Sequence, residues 1–244
     1  MFEYGGFTFV EAGAEGLKNQ IFRLRYEVYA LEFGFENPDD FPDKFEKDEY
    51  DQYSVHFAAL NEDGDVIGTI RMILDSPKGF PMEHAADVTG FSDKPEPQCI
   101  AEISRLAVSK NLRRRPEDGM HGVESYIPQA QGGVSDVKTV DQSVQEKRKR
   151  PVIVLGLYRA VYRKCKEMGI SHMVMISEAK LYHALHRFGF VFSPVGEAVE
   201  YHGKRIPYAT SWDRIERHMK EKHPDLLDFL LLELDKKYHP KFSS

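Results

Sequence analysis

Within the apolar, β-rich run Cys99 to Val108 (CIAEISRLAV) stand Glu102, Ser104 and Arg105. A carboxylate flanked on its own strand face by Ile100 and Leu106 is poorly hydrated. Loss of water raises a carboxyl pKa toward values suited to accepting a proton near neutrality, so Glu102 is a candidate general base. The plainer alternative is that it neutralises Arg71 or Arg105. Arg25, Arg71 and Arg105 are matched by Asp48, Asp51 and Glu102, three of each sign, and charges taken out of water need partners. An ion-pair network holding the first helix and its following loop over a sheet is the structural expectation for such a set. Metal chemistry is not indicated. The two cysteines, Cys99 and Cys165, are far apart and read as small buried hydrophobes, and His183 and His186 at His-x-x-His spacing lack a third ligand.

Elements follow from hydrophobic period. Leu17, Ile21, Leu24, Val28 and Leu31 recur at helical spacing over residues 15 to 33, with Gly34 as the stop. Phe22, Arg25 and Tyr29 fall on one flank of that apolar stripe, which half-buries Arg25. Pro38 and Pro42 mark 37 to 45 as a loop leading to Asp48-Glu49-Tyr50-Asp51. Strands at 54 to 60 and 66 to 74 flank an Asp-Gly step that predicts a hairpin, with Arg71 in the second strand. In the third strand, 99 to 108, alternation places Glu102 and Ser104 on one face and Arg105 on the other unless a bulge resets the parity. Residues 109 to 150 are polar and poor in aliphatics, the pattern of a long mobile insertion. Beyond it the pattern predicts a helix over 152 to 168, a strand over 172 to 176, a helix from Ser177 as cap through Phe188, and a strand over 190 to 192. Two further helical patterns are split at Pro224.

Size and charge bound the function. The chain has 244 residues, 41% hydrophobic and 30% charged, enough to build a core without disulfides or metals. With 39 acidic against 33 basic residues the net charge is −6, which disfavours a nucleic-acid partner. No apolar run nears 18 residues and no leader pattern opens the chain, so no membrane span and a cytoplasmic location are expected.

This order of elements outlines an α/β domain with a mixed sheet between helices. The helix closing on Phe188-Gly189-Phe190 resembles the late corner of the GNAT N-acyltransferase fold. A stronger resemblance runs through the first half. Arg25, Tyr29, Phe35, the Asp48 to Asp51 pair, Arg71 in Gly-Thr-Ile-Arg, and Glu102-Ile-Ser104-Arg105 resemble the signature of the acyl-homoserine-lactone (autoinducer) synthases. That signature has a tryptophan where Phe35 stands. The 109 to 150 insertion and Glu200 to Tyr208 (EYHGKRIPY) resemble instead the N-acyl amino acid synthases and the acyltransferases associated with PEP-CTERM/exosortase systems.

The resemblance implies a GNAT-like mixed sheet in one domain over 1 to 210, with a helical extension over 211 to 244. It implies an amide-forming N-acyltransferase with Glu102 and Ser104 in the catalytic roles. Arg25, Tyr29, Phe35, Asp48, Asp51, Arg71 and Arg105 would shape the acceptor pocket, where a cation meets the acceptor carboxylate and an aspartate its ammonium. The fold's usual pyrophosphate loop is missing after the third strand. Arg113, Arg114 and Arg115 with Lys147 and Arg148 suit an acidic acyl carrier protein and its phosphopantetheine, in preference to coenzyme A. The expected donor is therefore acyl-phosphopantetheine on a carrier protein, the acceptor a small amine, and no cofactor is held tightly. The rivals are a lactone synthase using S-adenosylmethionine and a non-catalytic acyl or lipid sensor on the same fold.

Overall fold

The computed structural model describes residues 1–91, 94–110 and 142–242, with the side chains of 142–151 left aside. Two short strands open the chain, β1 (Phe2–Tyr4) and β2 (Phe7–Glu11), joined through Gly5 and Gly6 at φ of 59° and 82°. Two positive-φ residues between alternating aromatics make a tight hairpin. Next come α1 (Glu15–Arg25), continuing as a π-helical turn over Tyr26–Glu32 and stopped at Gly34, then β3 (Ser54–Leu60) and β4 (Val66–Ile73) as the expected hairpin. The short α2 (Pro81–Ala85) precedes β5 (Ile100–Val108). After α3 (Gln142–Met168) the order is β6 (His172–Ser177), α4 (Ala179–Arg187), β7 (Ser193–Pro194), β8 (Val199–Glu200), β9 (Lys204–Ser211), α5 (Trp212–Lys222) and α6 (Pro224–Leu231).

Nine strands form one mixed sheet in the order β1-β2-β3-β4-β5-β6-β9-β7, with β8 paired to β9. Every pairing is antiparallel except β5 with β6, whose connection passes through α3 as a parallel pair requires. That pairing lasts only from Ile100↔His172 to Glu102↔Val174, after which the two strands part while β6 stays with β9 to Ser177↔Ile206. This leaves a gap between the two strands.

One face of the sheet packs on α3, α4, α5 and α6 in the main core, with Leu157, Tyr158, Tyr162, Trp212 and Ile215 among its buried members. Close seating of α3 is a matter of glycine. A Cβ on Gly156 would lie 2.2 Å from the Phe9 ring, and one on Gly68 would lie 2.7 Å from Ile153. The opposite face carries α1, with Leu24 and Val28 buried, and α2, with Met82 buried among Ile73, Ile100 and Val174.

Several expectations change. Helix α3 begins at Gln142, so the last nine residues of the anticipated 109 to 150 insertion belong to a helix. Residues 111–141 lie outside the described residues. Ser177 ends β6 instead of capping α4, whose N-cap is Glu178. Phe190 to Phe192 are buried core without being a strand, and pairing resumes at β7. The N-terminal hairpin and the β8–β9 pair fill sheet positions that hydrophobic period alone did not mark. Cys165 is buried, while Cys99 is partly exposed. Among the described residues no helix is long and apolar enough to cross a membrane.

Candidate active site

β5 supplies the first groups. Arg71↔Ser104 and Thr69↔Ala107 are paired across β4 and β5, so the stretch between them is one residue longer on β5, and Arg105 sits there with φ of +50°. A non-glycine residue in that region is strained and marks a bulge. The bulge resets the parity and turns Arg105 back toward the face that holds Ser104 and Arg71.

Glu102, at 1% exposure, lies where β5 and β6 separate. Its Oε2 accepts the backbone N–H of Met82 at 2.9 Å, and it makes no ion pair with any described residue. Burial pushes its carboxyl up to about 8, against the weaker pull of the Met82 amide and of Arg71. The neutralising role weighed against the catalytic one is therefore not the one it plays. Arg71 turns elsewhere, donating from Nη1 to Asp48 Oδ1 at 2.6 Å and Asp51 Oδ1 at 2.8 Å, and from Nε to Ser104 Oγ at 2.9 Å. Having accepted that bond, the Ser104 hydroxyl keeps its own proton free to donate.

The arginines are engaged on all sides. Arg25, which is fully buried and not half-buried, donates from Nε to Glu46 Oε2 at 2.5 Å and from Nη1 to Asp51 Oδ1 at 2.7 Å. Arg105 meets Glu46 at 2.9 Å and Glu36 at 3.2 Å, and stands 5.2 Å above the Tyr29 ring, whose hydroxyl donates to Leu106 O at 3.1 Å. Burial works against ionisation of Glu46, yet Arg25 and Arg105 overcome it and hold the carboxyl down at about 2. Asp51 is held well below the ordinary range by Arg25 and Arg71 in the same way. Behind the network His56 is buried, which pushes its imidazole down to about 4.

Glu102, Ser104, Arg71, Arg105, Asp48, Tyr29 and Phe35 all border a cavity of about 110 Å³. Arg25 and Asp51 stand behind it as supports. Phe35 packs beside Phe33, with ring centroids 5.6 Å apart, and beneath the Arg205 guanidinium at 5.4 Å. Met175 and Leu181 line the apolar side of the cavity, whereas Met173 and Phe80 are packed core and the α6 leucines lie against α3. Tyr182 stacks on Tyr208, with ring centroids 4.7 Å apart.

Glu46, Glu36, Tyr201, His202 and Arg205 are site residues that spacing did not find. Glu46 sits in an irregular loop with no period, tied back by its N–H to Phe22 O. The other cluster comes from the β8–β9 turn, where His202 at φ of 51° and Gly203 at 92° bring His202 Nε2 within 3.8 Å of Glu36. Their signal was the Tyr-His-Gly-Lys-Arg run, visible only as a likeness. Arg113, Arg114 and Arg115 lie outside the described residues, as do the side chains of Lys147 and Arg148. Arg159 is buried beneath the C-terminal segment and Lys164 pairs with Glu11 at 2.9 Å, so neither adds to a basic docking face. Among the described residues no group of His, Cys, Asp or Glu could hold a metal.

Comparison with known proteins agrees with this geometry. The family model described as "Acetyltransferase (GNAT) domain" matches residues 24–120. An acyl-homoserine-lactone synthase of Vibrio anguillarum is 22% identical over 178 residues, covering 72% of this chain and 75% of the relative. Among solved structures, the CoA-dependent acyl-homoserine lactone synthase BjaI, solved with SAM and isopentyl-CoA, superposes with a TM-score of 0.57 at 22% identity over 90% of this chain and 82% of its own. FeeM, an N-acyl amino acid synthase from uncultured soil microbes, superposes with a TM-score of 0.59 at 14% identity over 88% and 96%. The chain is thus similar to the GNAT acyltransferases over residues 24–120, and it shares its fold with autoinducer synthases and with an N-acyl amino acid synthase.

Proposed function

We propose that the protein moves a fatty acyl chain from an acyl carrier protein to the amine of an amino acid or a similar small acceptor. The observation that carries this reading is Glu102: a buried carboxyl that makes no ion pair with a described residue, set between a charged rim and an apolar gap in the sheet.

The residues divide the work as follows. The acceptor amine attacks the thioester carbon, the N–C bond forms, and Glu102 takes the amine proton; a carboxyl pushed up to about 8 is a base strong enough to do so. Negative charge gathers on the carbonyl oxygen, facing the bulge of β5, where the Ser104 hydroxyl donates together with main-chain amide. Collapse breaks the C–S bond, and a thiol with a pKa of about 8.5 leaves as thiolate without a dedicated acid. Asp48 and Glu36, both partly exposed at the rim, receive the acceptor ammonium, which gives one proton to solvent water to become the amine that attacks. An acceptor carboxylate reaches Arg105 by displacing Glu36, the more exposed of the carboxylates on that guanidinium apart from Asp48.

The carrier protein as donor rests on the basic clusters at 113 to 115 and 147 to 148 and on the missing pyrophosphate loop. A second reading, transfer to S-adenosylmethionine with lactone closure, is favoured by one observation: the rim is richer in carboxylates than in unpaired cations, which suits a sulfonium. One experiment separates the readings. Single-turnover transfer from acylated carrier protein or acyl-CoA to a mixture of amino acids and S-adenosylmethionine is read by mass spectrometry. Acyl amides of an amino acid support the proposal, lactone with methylthioadenosine supports the second reading, and binding without any product assigns a sensor.

A further inference from the structure

Among the described residues three arginines line the cavity, and two of them are spent on carboxylates. Arg71 meets Asp48 and Asp51, and Arg105 meets Glu46 and Glu36, all within 3.2 Å. Arg205 is placed differently. It comes from β9, is 7% exposed, and holds its guanidinium 5.4 Å from the centre of the Phe35 ring. Its Nε donates to Tyr201 O at 2.8 Å and its Nη2 to His202 O at 3.2 Å, so two neutral carbonyls of its own turn fix the group. The carboxylate it faces is Glu178, 3.7 Å away and outside hydrogen-bond distance. Nη1 has no hydrogen-bond partner among the described residues.

A guanidinium taken out of water needs a counter-charge in hydrogen-bond contact, and Arg205 has only carbonyls there. An anionic ligand group supplies that contact. At Arg71 or Arg105 it would first have to dislodge a carboxylate of the protein; at Arg205 it need not. Because the turn already holds the guanidinium in place, little side-chain freedom remains to be lost on binding. In the transfer reading the acceptor ammonium lies at Asp48 and Glu36 and its α-carboxylate at Arg105. The wall formed by Phe35, Tyr201 and Arg205 is then left to the acceptor side chain.

We infer that Arg205 is a specificity-determining residue for the acceptor: its guanidinium receives a carboxylate on the acceptor side chain, so that acidic amino acids are the preferred substrate class. A carboxamide of the same shape brings no charge, and an aliphatic side chain leaves the cation uncompensated; a site holding a buried charged donor discriminates against both. This inference rests on the acyl-transfer reading above, which assigns the other two groups of the acceptor to Asp48, Glu36 and Arg105.

The test compares aspartate and glutamate with asparagine, glutamine and alanine as acceptors, each with acylated carrier protein and with acyl-CoA as donor. The wild-type protein is expected to prefer an acidic acceptor by about tenfold in kcat/KM. Arg205→Gln is expected to bring that ratio near unity, chiefly through a raised KM for the acidic acceptors. Glu178→Gln removes the carboxylate that faces Arg205 from outside the cavity lining, and is expected to keep or raise the preference. A wild-type protein that uses neutral acceptors as well as acidic ones overturns the inference and leaves the transfer reading standing, as does a Glu178→Gln variant whose preference falls. A folded Arg205→Gln variant that keeps the preference also overturns it. So does one that loses alanine along with the acidic acceptors, which would put the α-carboxylate at Arg205. Should Arg205→Gln not fold, the wild-type and Glu178→Gln ratios decide. Absence of transfer to every acceptor from either donor overturns the transfer reading itself.

Discussion

Among the described acidic groups at the site, Glu102 stands apart as the one that is buried and makes no ion pair. Its conversion to Gln keeps the shape and removes the basicity, so transfer is expected to fall by about 10² to 10⁴ in single-turnover rate while acceptor binding persists. The wild-type rate is expected to climb with pH through about 8, since the group accepts a proton only when ionised. A flat profile over that range would exclude Glu102 as the base. Its candidacy was readable because strand alternation placed it beside Ile100, although Leu106, expected on the same face, joins the core beneath α3 once the bulge at Arg105 has reset the parity. Arg25, Arg71, Asp48 and Asp51 were readable from charge matching, yet their exact pairing was not. Glu46 was missed for a physical reason: what buries it is the convergence of α1, the loop and β5, and a loop residue leaves no period to announce that.

The β5 bulge and the seat of α3 are where elements set the chemistry. Glu46 joins Arg25 of α1 to Arg105 of the bulge. Glu46→Ala leaves two buried guanidiniums short of a partner and is expected to cost about 3–5 kcal/mol by denaturant unfolding. Any protein that stays folded is expected to show a raised acceptor KM with a smaller change in kcat, because Arg105 borders the cavity without being the base. On the opposite face, Gly156→Ala would drive a methyl into the Phe9 ring and is expected to lower stability by about 1–3 kcal/mol, read in the same way. Strands β3, β4 and β5 followed from β-rich runs and the Asp-Gly turn. The bulge was foreseen only as a condition on parity, because one extra residue in a ladder depends on the register of its neighbour. β9 escaped notice because its Lys204 to Pro207 start is polar and interrupted, and its place between β6 and β7 is decided by long-range pairing.

Taken together, the titrating groups give the molecule a stability profile with an unusual alkaline side. Glu46 and Asp51 have folded values depressed below their ordinary ones, so the stability they confer is present above those ordinary values and lost as acid reaches the folded ones. His56, depressed from 6.5 to about 4, likewise withdraws stability as pH falls through that interval, because the unfolded chain takes the proton first. Glu102 runs the other way. Raised from 4.5 to about 8, it favours folding most fully below 4.5, and that contribution drains as pH rises toward 8. Between 4.5 and 6.5 it opposes His56 and the two nearly cancel. From 6.5 to 8 it acts alone among these four, with a slope of about 1.4 kcal/mol per pH unit. Unfolding free energy is therefore expected to decline over that last interval in the wild-type protein, and Glu102→Gln, which cannot ionise, is expected to abolish the decline. Wild-type and Glu102→Gln curves that run parallel from 6.5 to 8 would mean that the carboxyl is already ionised in the folded state. That outcome would remove the sealed, cation-free environment on which the base assignment depends.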